Sequence, residues 1–288
     1  MPQTINTNLV SLNAQRNLST SQSSLATAMQ RLSSGLRVNS AKDDAAGLAI
    51  AERMNSQVRG MNVAIRNAND GISMAQVGEG ALGKIGEQLQ RMRELAVQSA
   101  NGTNTPADRQ SLNGEFVQLA QEATRTLGGT QFNGQNILAT TATSVFQIGA
   151  NNSTTIDQLT VGSFDWRTVS GITTVLGNTV ISGTSIPTAQ ITDVGGAQAS
   201  ISSIDGAIDA VNSQRATFGA VQNRFENVVA TLMVATESQS AARSRIMDAD
   251  YAAETAALSR AQILQQAGNA MVAQANQLPQ QVLALLQR

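Results

Sequence analysis

One uninterrupted stripe of mostly apolar residues at helical spacing, which we call the seam, restricts the possible folds of this chain more than any other feature. Steps of three or four residues lead from Ala51 through Met54, Val58, Met61, Ile65, Ala68, Ile72, Ala75, Glu79, Leu82, Ile85, Leu89, Met92 and Ala96 to Ser99. A 3.5-residue period sustained over this distance predicts one long helix in a coiled coil or bundle. At the usual helical rise this helix is about 73 Å long.

Further helices are predicted on both sides of this seam. A second seam with the same step runs from Phe218 to Ile246, and weaker seams lie at both chain ends, the first of them interrupted by a polar tract between Leu12 and Leu25. Thr105-Pro106-Ala107-Asp108 combines an N-cap hydroxyl with proline at the first helical position, and Gly128-Gly129 ends the stripe that follows. We therefore expect a shorter helix between these signals.

The middle of the chain has a different composition. Residues 151–188 contain no Ala and few charges, and Thr, Ser, Gly and β-branched residues dominate, which favours strands and turns over helix. Asn133-Gly134 predicts a tight turn, and the runs 145–148 and 156–161 predict a hairpin. The predicted fold class is mainly α: a long antiparallel coiled-coil or helical-bundle rod with a small β-hairpin-rich insert in mid-chain.

Composition excludes most enzyme classes. Among 288 residues there is no Cys and no His, so thiol nucleophiles, imidazole bases and nearly all zinc or haem sites are excluded. A formal net charge of -1 argues against a nucleic-acid partner. The apolar runs are shorter than a bilayer span requires, and the N-terminus lacks the pattern of a cleaved Sec-type signal peptide. We expect no enzymatic activity, no cofactor and no membrane insertion.

Two motifs resemble ligand sites without the right context. The segment 78–85 fits G-x-G-x-x-G, but the helical seam runs through it, whereas a phosphate-binding loop follows a strand. Asp43-Asp44 and the pair Asp248 and Asp250 lack a third metal ligand at helical spacing, so we interpret them as solvated acids or helix-start charges. Asn101-Gly102-Thr103 matches the N-glycosylation sequon, a pattern that is common by chance.

Four long motifs, in order along the chain, resemble bacterial flagellins. They are RLSSGLRVNSAKDDAAGLAI at 31–50, QRMRELAVQSANGT at 90–103, TQFNGQNIL at 130–138 and the C-terminal segment from SRIMDADYAAETAAL at 244–258 to residue 288. The resemblance covers most of the first 160 residues and nearly all of the last 90, and it leaves out about 162–193. It implies a structural subunit that polymerises into the helical flagellar filament for swimming motility.

The resemblance also implies a division of the chain into three parts. Residues 1–44 and 246–288 would form a terminal coiled coil in the inner filament core, 45–161 and 194–245 a helical layer with the β-hairpin, and 162–193 a short variable outer segment. The residues expected to carry subunit assembly are Leu25, Met29, Leu32, Leu36, Leu258, Leu264, Met271, Leu278, Val282 and Leu285. Because the weak terminal seams bury little apolar surface, we expect both ends to be disordered in the free monomer and to fold on assembly.

Partners and location follow from the same resemblance. It implies recognition by the vertebrate Toll-like receptor for flagellin, with Arg91 as a cationic donor, Leu95 as an apolar anchor and Glu115 as an acidic neighbour. Subunit packing is the alternative role of these three residues. Docking of an export chaperone or an intracellular immune sensor is expected at Val282, Leu283, Leu285 and Leu286. Filament-cap and hook-junction proteins are further expected partners, and export by the flagellar type III route would place the protein outside the cell.

Two alternatives remain open at this point. A hook-filament junction adaptor shares the paired helical ends, although the motif at 39–44 favours the filament subunit. A chemoreceptor-like signalling coiled coil would explain the Ala, Ser and Gln content. It requires a membrane span, however, and has no place for the strand-rich middle.

Overall fold

The described residues form six α-helices, a single 3-10 turn and four short strands. A computed structural model describes residues 7–162, 164–177 and 189–286, with 278–286 described by their backbone only. The helices are α1 Leu9–Ser34, α2 Ala45–Ser99, α3 Pro106–Gly129, α4 Ser170–Leu176, α5 Val194–Met247 and α6 Tyr251–Leu286. The strands are β1 Gln131–Phe132, β2 Gln135–Asn136, β3 Ser144–Gln147 and β4 Gln158–Val161. The predicted mainly α fold with a small β insert is confirmed.

These elements form two compact units. The first consists of residues 1–56 and 237–288, and the second of residues 57–236. Helices α2 and α5 contribute to both, so a boundary falls within each of them. The three-part division expected from the sequence stays a prediction, because residues 178–188 in its variable segment lie outside the described part of the chain.

Helix α2 follows the predicted seam without a break. From Ala68 to Ser99 every seam position except Ile72 and Glu79 is buried. The helix also continues through the glycine-rich segment 78–85, which removes the geometry that phosphate binding would need. Asp44 begins the helix, because its carboxylate accepts a hydrogen bond from the Gly47 N–H at 2.8 Å. Its predicted role as a helix-start charge is confirmed.

Helices α1 and α6 pack against each other in antiparallel order within the first unit. Asn8 donates to the Ala275 carbonyl at 2.7 Å, and near the other end of the pair the Tyr251 hydroxyl donates to the Leu32 carbonyl at 2.8 Å. Helix α1 crosses the polar tract between Leu12 and Leu25 as one continuous helix. Between these ends Gly268 lies against Leu18, where an added Cβ would approach the leucine to 3.1 Å. Small residues thus let the two helices approach closely.

Within the first unit, the segment that follows α1 pairs with the segment that precedes α6. Gly35 ends α1 in the left-handed conformation with φ 72°, which glycine adopts without a Cβ clash. The following residue, Leu36, forms an antiparallel bridge with Asp248, and the Ala249 N–H donates to the Gly35 carbonyl at 2.9 Å. Val38, Ala51 and Met247 form a small core beside this bridge.

The insert forms two antiparallel hairpins in the second unit. β1 and β2 are joined by Asn133 and Gly134, whose φ angles of 49° and 77° confirm the predicted tight turn. β3 and β4 form the second predicted hairpin, with Phe146 opposite Leu159. The ring of Phe146 meets that of Phe225 on α5 edge to face, with centroids 5.4 Å apart. This contact fixes the hairpin on the helices.

One segment predicted as strand or turn is helical. Residues 170–176 form α4, and Ile172, Val175 and Leu176 on it are fully buried. Their spacing of three and four residues lets a single helical face enter the core, so burial outweighs the low helix propensity of Gly and β-branched residues. Beside it, the single Trp of the chain, Trp166, lies fully buried in the 3-10 turn.

Candidate functional site

The paired chain ends carry large apolar side chains that face solvent. Seven non-aromatic residues among the described side chains of α1 and α6, which we call the exposed end residues, keep half or more of their surface accessible: Leu9, Val10, Leu12, Met29, Ile263, Leu264 and Met271. The contact between the two helices buries small groups instead, since the buried residues of α1 are Ser11 and Ala28 and those among the described side chains of α6 are Ala261 and Ala275. The pair therefore leaves much of its apolar surface uncovered.

The predicted assembly residues fall into three groups. Leu25, Leu32, Leu36 and Leu258 are half-buried in the first unit, so contacts within the chain already use part of their surface. Met29, Leu264 and Met271 belong to the exposed end residues, at 57%, 51% and 60% accessibility. The other three, Leu278, Val282 and Leu285, lie outside the described side chains.

The predicted docking residues at the C-terminus are also undescribed at the side-chain level. Val282, Leu283, Leu285 and Leu286 lie on α6, whose backbone is helical to Leu286. Their role as a docking strip therefore stays a prediction.

The predicted receptor residues Arg91 and Glu115 form a charged patch on α2 and α3. The Arg91 guanidinium donates to Glu94 on its own helix at 2.9 Å and to Glu115 across the helix pair at 3.0 Å. These hydrogen bonds, with Glu94 contributing most, raise the pKa of Arg91 above its ordinary value. The side chains of Arg91, Glu94 and Glu115 are 50%, 66% and 47% exposed, so they are accessible to a partner.

Leu95 does not belong to this accessible patch. Its side chain is 1% exposed and belongs to the core of the second unit. The expectation that Leu95 is a direct apolar anchor therefore disagrees with its placement, because a partner could reach the side chain only by opening the core. Val97, two residues further along α2, is 50% exposed. The signal for an inward orientation of Leu95 is its position on the helix, since it lies three residues after the seam residue Met92 and next to Ala96.

Two ion pairs join α2 and α5, and neither was predicted from the sequence. Arg93 contacts Asp205 at 2.6 Å, and Glu79, the charged member of the seam, faces Arg215 at 3.8 Å. Hydrogen bonding to Asp205 raises the pKa of Arg93. Partners more than a hundred positions apart leave no local signal in one sequence, so the sequence predicted charges on a helix face and nothing about their pairing.

One depression in the second unit has no catalytic character. It encloses about 740 Å³ between the hairpins and the two long helices, and Asp70 is its one charged lining residue. No cluster of three or more acidic side chains able to hold a metal ion occurs among residues 7–162, 164–177 and 189–286. Within the same ranges, no helix combines the length and apolar content that crossing a bilayer requires. The surface features described here are suited to binding.

Comparisons with known proteins place these features in a family. Residues 5–143 match the bacterial flagellin N-terminal helical region, and residues 201–286 match the bacterial flagellin C-terminal helical region. The chain is 46% identical to a flagellin of Halalkalibacterium halodurans, over 98% of this chain and 99% of that protein. It is 36% identical to flagellin A of Vibrio cholerae, with the same two coverages.

A solved structure shares the fold at low identity. A putative flagellar hook-associated protein from Vibrio parahaemolyticus superposes with a TM-score of 0.59 at 12% identity, over 72% of this chain and all of that one. At this identity the likeness extends to the fold alone.

Proposed function

Since this chain belongs to the bacterial flagellin family, we propose that it polymerises into the helical flagellar filament through its paired ends. Its family makes it a structural subunit of the extracellular bacterial flagellar filament and not an enzyme. The exposed end residues carry the proposal, because seven large apolar side chains stay accessible on two helices of one compact unit. Contacts that repeat from copy to copy without closing a ring generate an open helical polymer.

Electron microscopy of paired variants tests this proposal. Leu264→Glu places a charge on an exposed end residue, whereas Gln266→Glu places the same charge on an exposed polar position of α6. We expect long filaments from the concentrated parent protein and from Gln266→Glu, and strongly reduced polymerisation of Leu264→Glu, because burying the charge at a subunit contact is unfavourable. Equal polymerisation of both variants would contradict a role for Leu264.

We further propose that folding of the ends is coupled to assembly. The buried side chains shared by α1 and α6 are small, so their burial contributes little against the conformational entropy lost on ordering both helices. Neighbouring copies would cover the exposed end residues and add the missing stabilisation. Hydrogen exchange compares the monomer and the polymer directly: residues 9–34 and 251–275 should exchange rapidly in the monomer and slowly in the filament. Strong protection of both segments in the monomer would contradict the coupling.

The charged patch of Arg91, Glu94 and Glu115 is the surface that we propose for the vertebrate Toll-like receptor that senses flagellin. Arg91 supports the proposal because its planar guanidinium is accessible and already positioned by two carboxylates. Arg91→Ala should lower receptor activation in a reporter-cell assay, while Arg125→Ala, an exposed ion-paired arginine of α3, serves as the control. Unchanged activation by Arg91→Ala would remove this assignment.

The remaining partners are proposed from the family alone. Docking of an export chaperone or an intracellular immune sensor on the C-terminal apolar residues, contacts with filament-cap and hook-junction proteins, and export by the flagellar type III route belong to this set. Deleting residues 279–288 and measuring binding of a co-expressed export chaperone tests the first of them. Retained binding would place that site elsewhere.

A further inference from the structure

The loop between α2 and α3 carries an amide that its surroundings leave open to reaction. We propose that Asn101 is a site of spontaneous deamidation, at which aspartate and isoaspartate replace asparagine. The chain contains three Asn-Gly dipeptides, beginning at Asn101, Asn113 and Asn133, which are the sequence context with least steric hindrance to this reaction. The structure distinguishes among them. Deamidation at Asn101 would not depend on filament assembly.

The reaction needs only water and the groups of the dipeptide itself. The backbone nitrogen of Gly102 loses its proton and attacks Cγ of Asn101, so that a new C–N bond closes a five-membered succinimide ring. The bond from Cγ to the side-chain nitrogen breaks, and that nitrogen leaves with a proton as ammonia. Water then adds to either ring carbonyl, and ring opening yields aspartate or isoaspartate. Because the attacking nitrogen must be deprotonated, the rate rises with pH.

The geometry at Asn101 favours the attack. Asn101, Gly102 and Thr103 are all exposed, and a Cβ added at Gly102 would meet no atom within 4 Å. The Asn101 carboxamide oxygen accepts a hydrogen bond from the Thr103 N–H at 3.4 Å, which folds the side chain over the Gly102 peptide and polarises the carbonyl under attack. In the described part of the chain, no protein group accepts a hydrogen bond from the Gly102 N–H.

The geometry at Asn113 opposes attack of the Gly114 nitrogen on the Asn113 side chain. Asn113 and Gly114 lie within α3, so the Gly114 N–H belongs to the hydrogen-bond ladder of the helix. The Asn113 carboxamide oxygen also accepts from the Ile191 N–H at 3.0 Å, which holds the side chain in place. Reaction there requires local opening of the helix.

The hairpin turn opposes attack of the Gly134 nitrogen on the Asn133 side chain. Asn133 has φ 49° and is the one non-glycine residue with a positive φ in the described ranges. In this left-handed conformation the following nitrogen lies anti to Cβ about the Cα–C bond, far from the position that ring closure requires. Bringing Gly134 into range would rotate the peptide and break the pairing of β1 with β2.

Modification at Asn101 would disturb the hydrogen bonds of a buried arginine. Arg109 is 9% exposed, and its Nη2 donates to the main-chain carbonyl of Asn101 at 3.0 Å and to that of Asn104 at 3.4 Å. Isoaspartate adds one carbon to the backbone at position 101 and so displaces the first of these acceptors. A buried guanidinium that loses an acceptor destabilises the loop.

Tryptic mass spectrometry of the aged full-length protein separates the three sites. Cleavage at Arg93, Arg109, Arg125 and Arg167 places Asn101, Asn113 and Asn133 on peptides 94–109, 110–125 and 126–167. The dilute protein is incubated at mildly alkaline pH, and the exchange of NH₂ for OH is followed over time, with isoaspartate labelled by isoaspartyl methyltransferase. Fragment spectra assign the change to Asn101 or to Asn104 within the first peptide.

The expected result is conversion at Asn101 at least about tenfold faster than at Asn113 or Asn133, because the other two sites must first open locally. In concentrated urea the three rates should converge, since all three share the same following glycine. Gly102→Ala should slow conversion at Asn101 without changing the other two, and its far-ultraviolet circular dichroism should match that of the parent. Equal rates in the native protein, faster conversion at another site, or intact Asn101 after Asn113 has reacted would each overturn the proposal.

Discussion

Two glycines of α2 should respond in opposite ways to the same substitution. Gly71 lies against the ring of Phe225, where an added Cβ would come within 2.5 Å of Cζ and 2.7 Å of Cε2. Gly80, on the same helix, has no atom within 4 Å of an added Cβ. Both are interior helical positions, so alanine gains the same helix propensity at each. The pair Gly71→Ala and Gly80→Ala therefore isolates the cost of the clash.

The magnitude follows from the room available to Phe225. Ordinary contact begins at 3.4 Å, so its ring must retreat by about 0.9 Å from the 2.5 Å that the new Cβ would create. The ring is fully buried and packed edge to face against Phe146, which leaves it little space to move. Overpacking of this kind costs about 1–3 kcal/mol, and the gain in helix propensity offsets about 1 kcal/mol. We expect Gly71→Ala to lower the free energy of unfolding by about 1 kcal/mol and Gly80→Ala to raise it by about 0.5–1 kcal/mol.

Trp166 provides the assay. It is the single tryptophan of the chain and is fully buried in the second unit, so its fluorescence reports the unfolding of the unit that contains both glycines. Urea titrations of the monomeric variants give the free energy of unfolding of each, provided that the two variants show the same dependence on urea concentration. A Gly71→Ala protein as stable as Gly80→Ala would show that the new Cβ does not clash with Phe225. Combining Gly71→Ala with Phe225→Leu checks its cause, because the smaller side chain should recover part of the loss beyond additivity.

Three further changes test single contacts in the second unit. Thr105→Ala removes the capping box of α3 and should lower the free energy of unfolding by about 1 kcal/mol in urea titrations. Ser99→Ala leaves the buried Ile191 carbonyl without the hydroxyl that donates to it at 2.5 Å, which should cost about 1–3 kcal/mol in the same assay. Asp165→Asn should destabilise by about 1–2 kcal/mol at neutral pH, because the Arg167 hydrogen bond that lowers the pKa of Asp165 is weakened. A lowered folded pKa gives stability that is present above the ordinary aspartate pKa and lost as pH falls through the folded value, so melting curves of parent and variant should converge in acid.

Each of these changes has an outcome that would contradict its physical reason. A stable Thr105→Ala protein, compared with Thr103→Ala in the neighbouring loop as control, would exclude the cap as a determinant of α3. An unaffected Ser99→Ala protein would indicate that water replaces the hydroxyl at Ile191. A difference between parent and Asp165→Asn that grows toward acid pH would reverse the assigned sign.

Local signals predicted most of the elements. The helix start at Thr105, the end at Gly129 and the turn at Asn133-Gly134 each depend on neighbouring residues, and the structure confirms all three. Helix α4 was missed because Ile172, Val175 and Leu176 adopt helical geometry to fill a core that is built by distant segments. The three receptor residues were predicted from a motif, but Leu95 is buried in the core of the second unit. The motif could not show this, because the accessibility of a residue depends on what packs over its helix face.

The family, the long helices and the absence of thiol and imidazole chemistry follow from the residues alone, because periodicity, motif order and composition are properties of a single chain. Folding settles which apolar residues stay uncovered at the paired ends, which charges meet across α2 and α5, and which Asn-Gly dipeptides lie in a helix or a hairpin turn. The physical reason is that burial, ion pairing and peptide accessibility depend on atoms brought together from positions far apart in the chain.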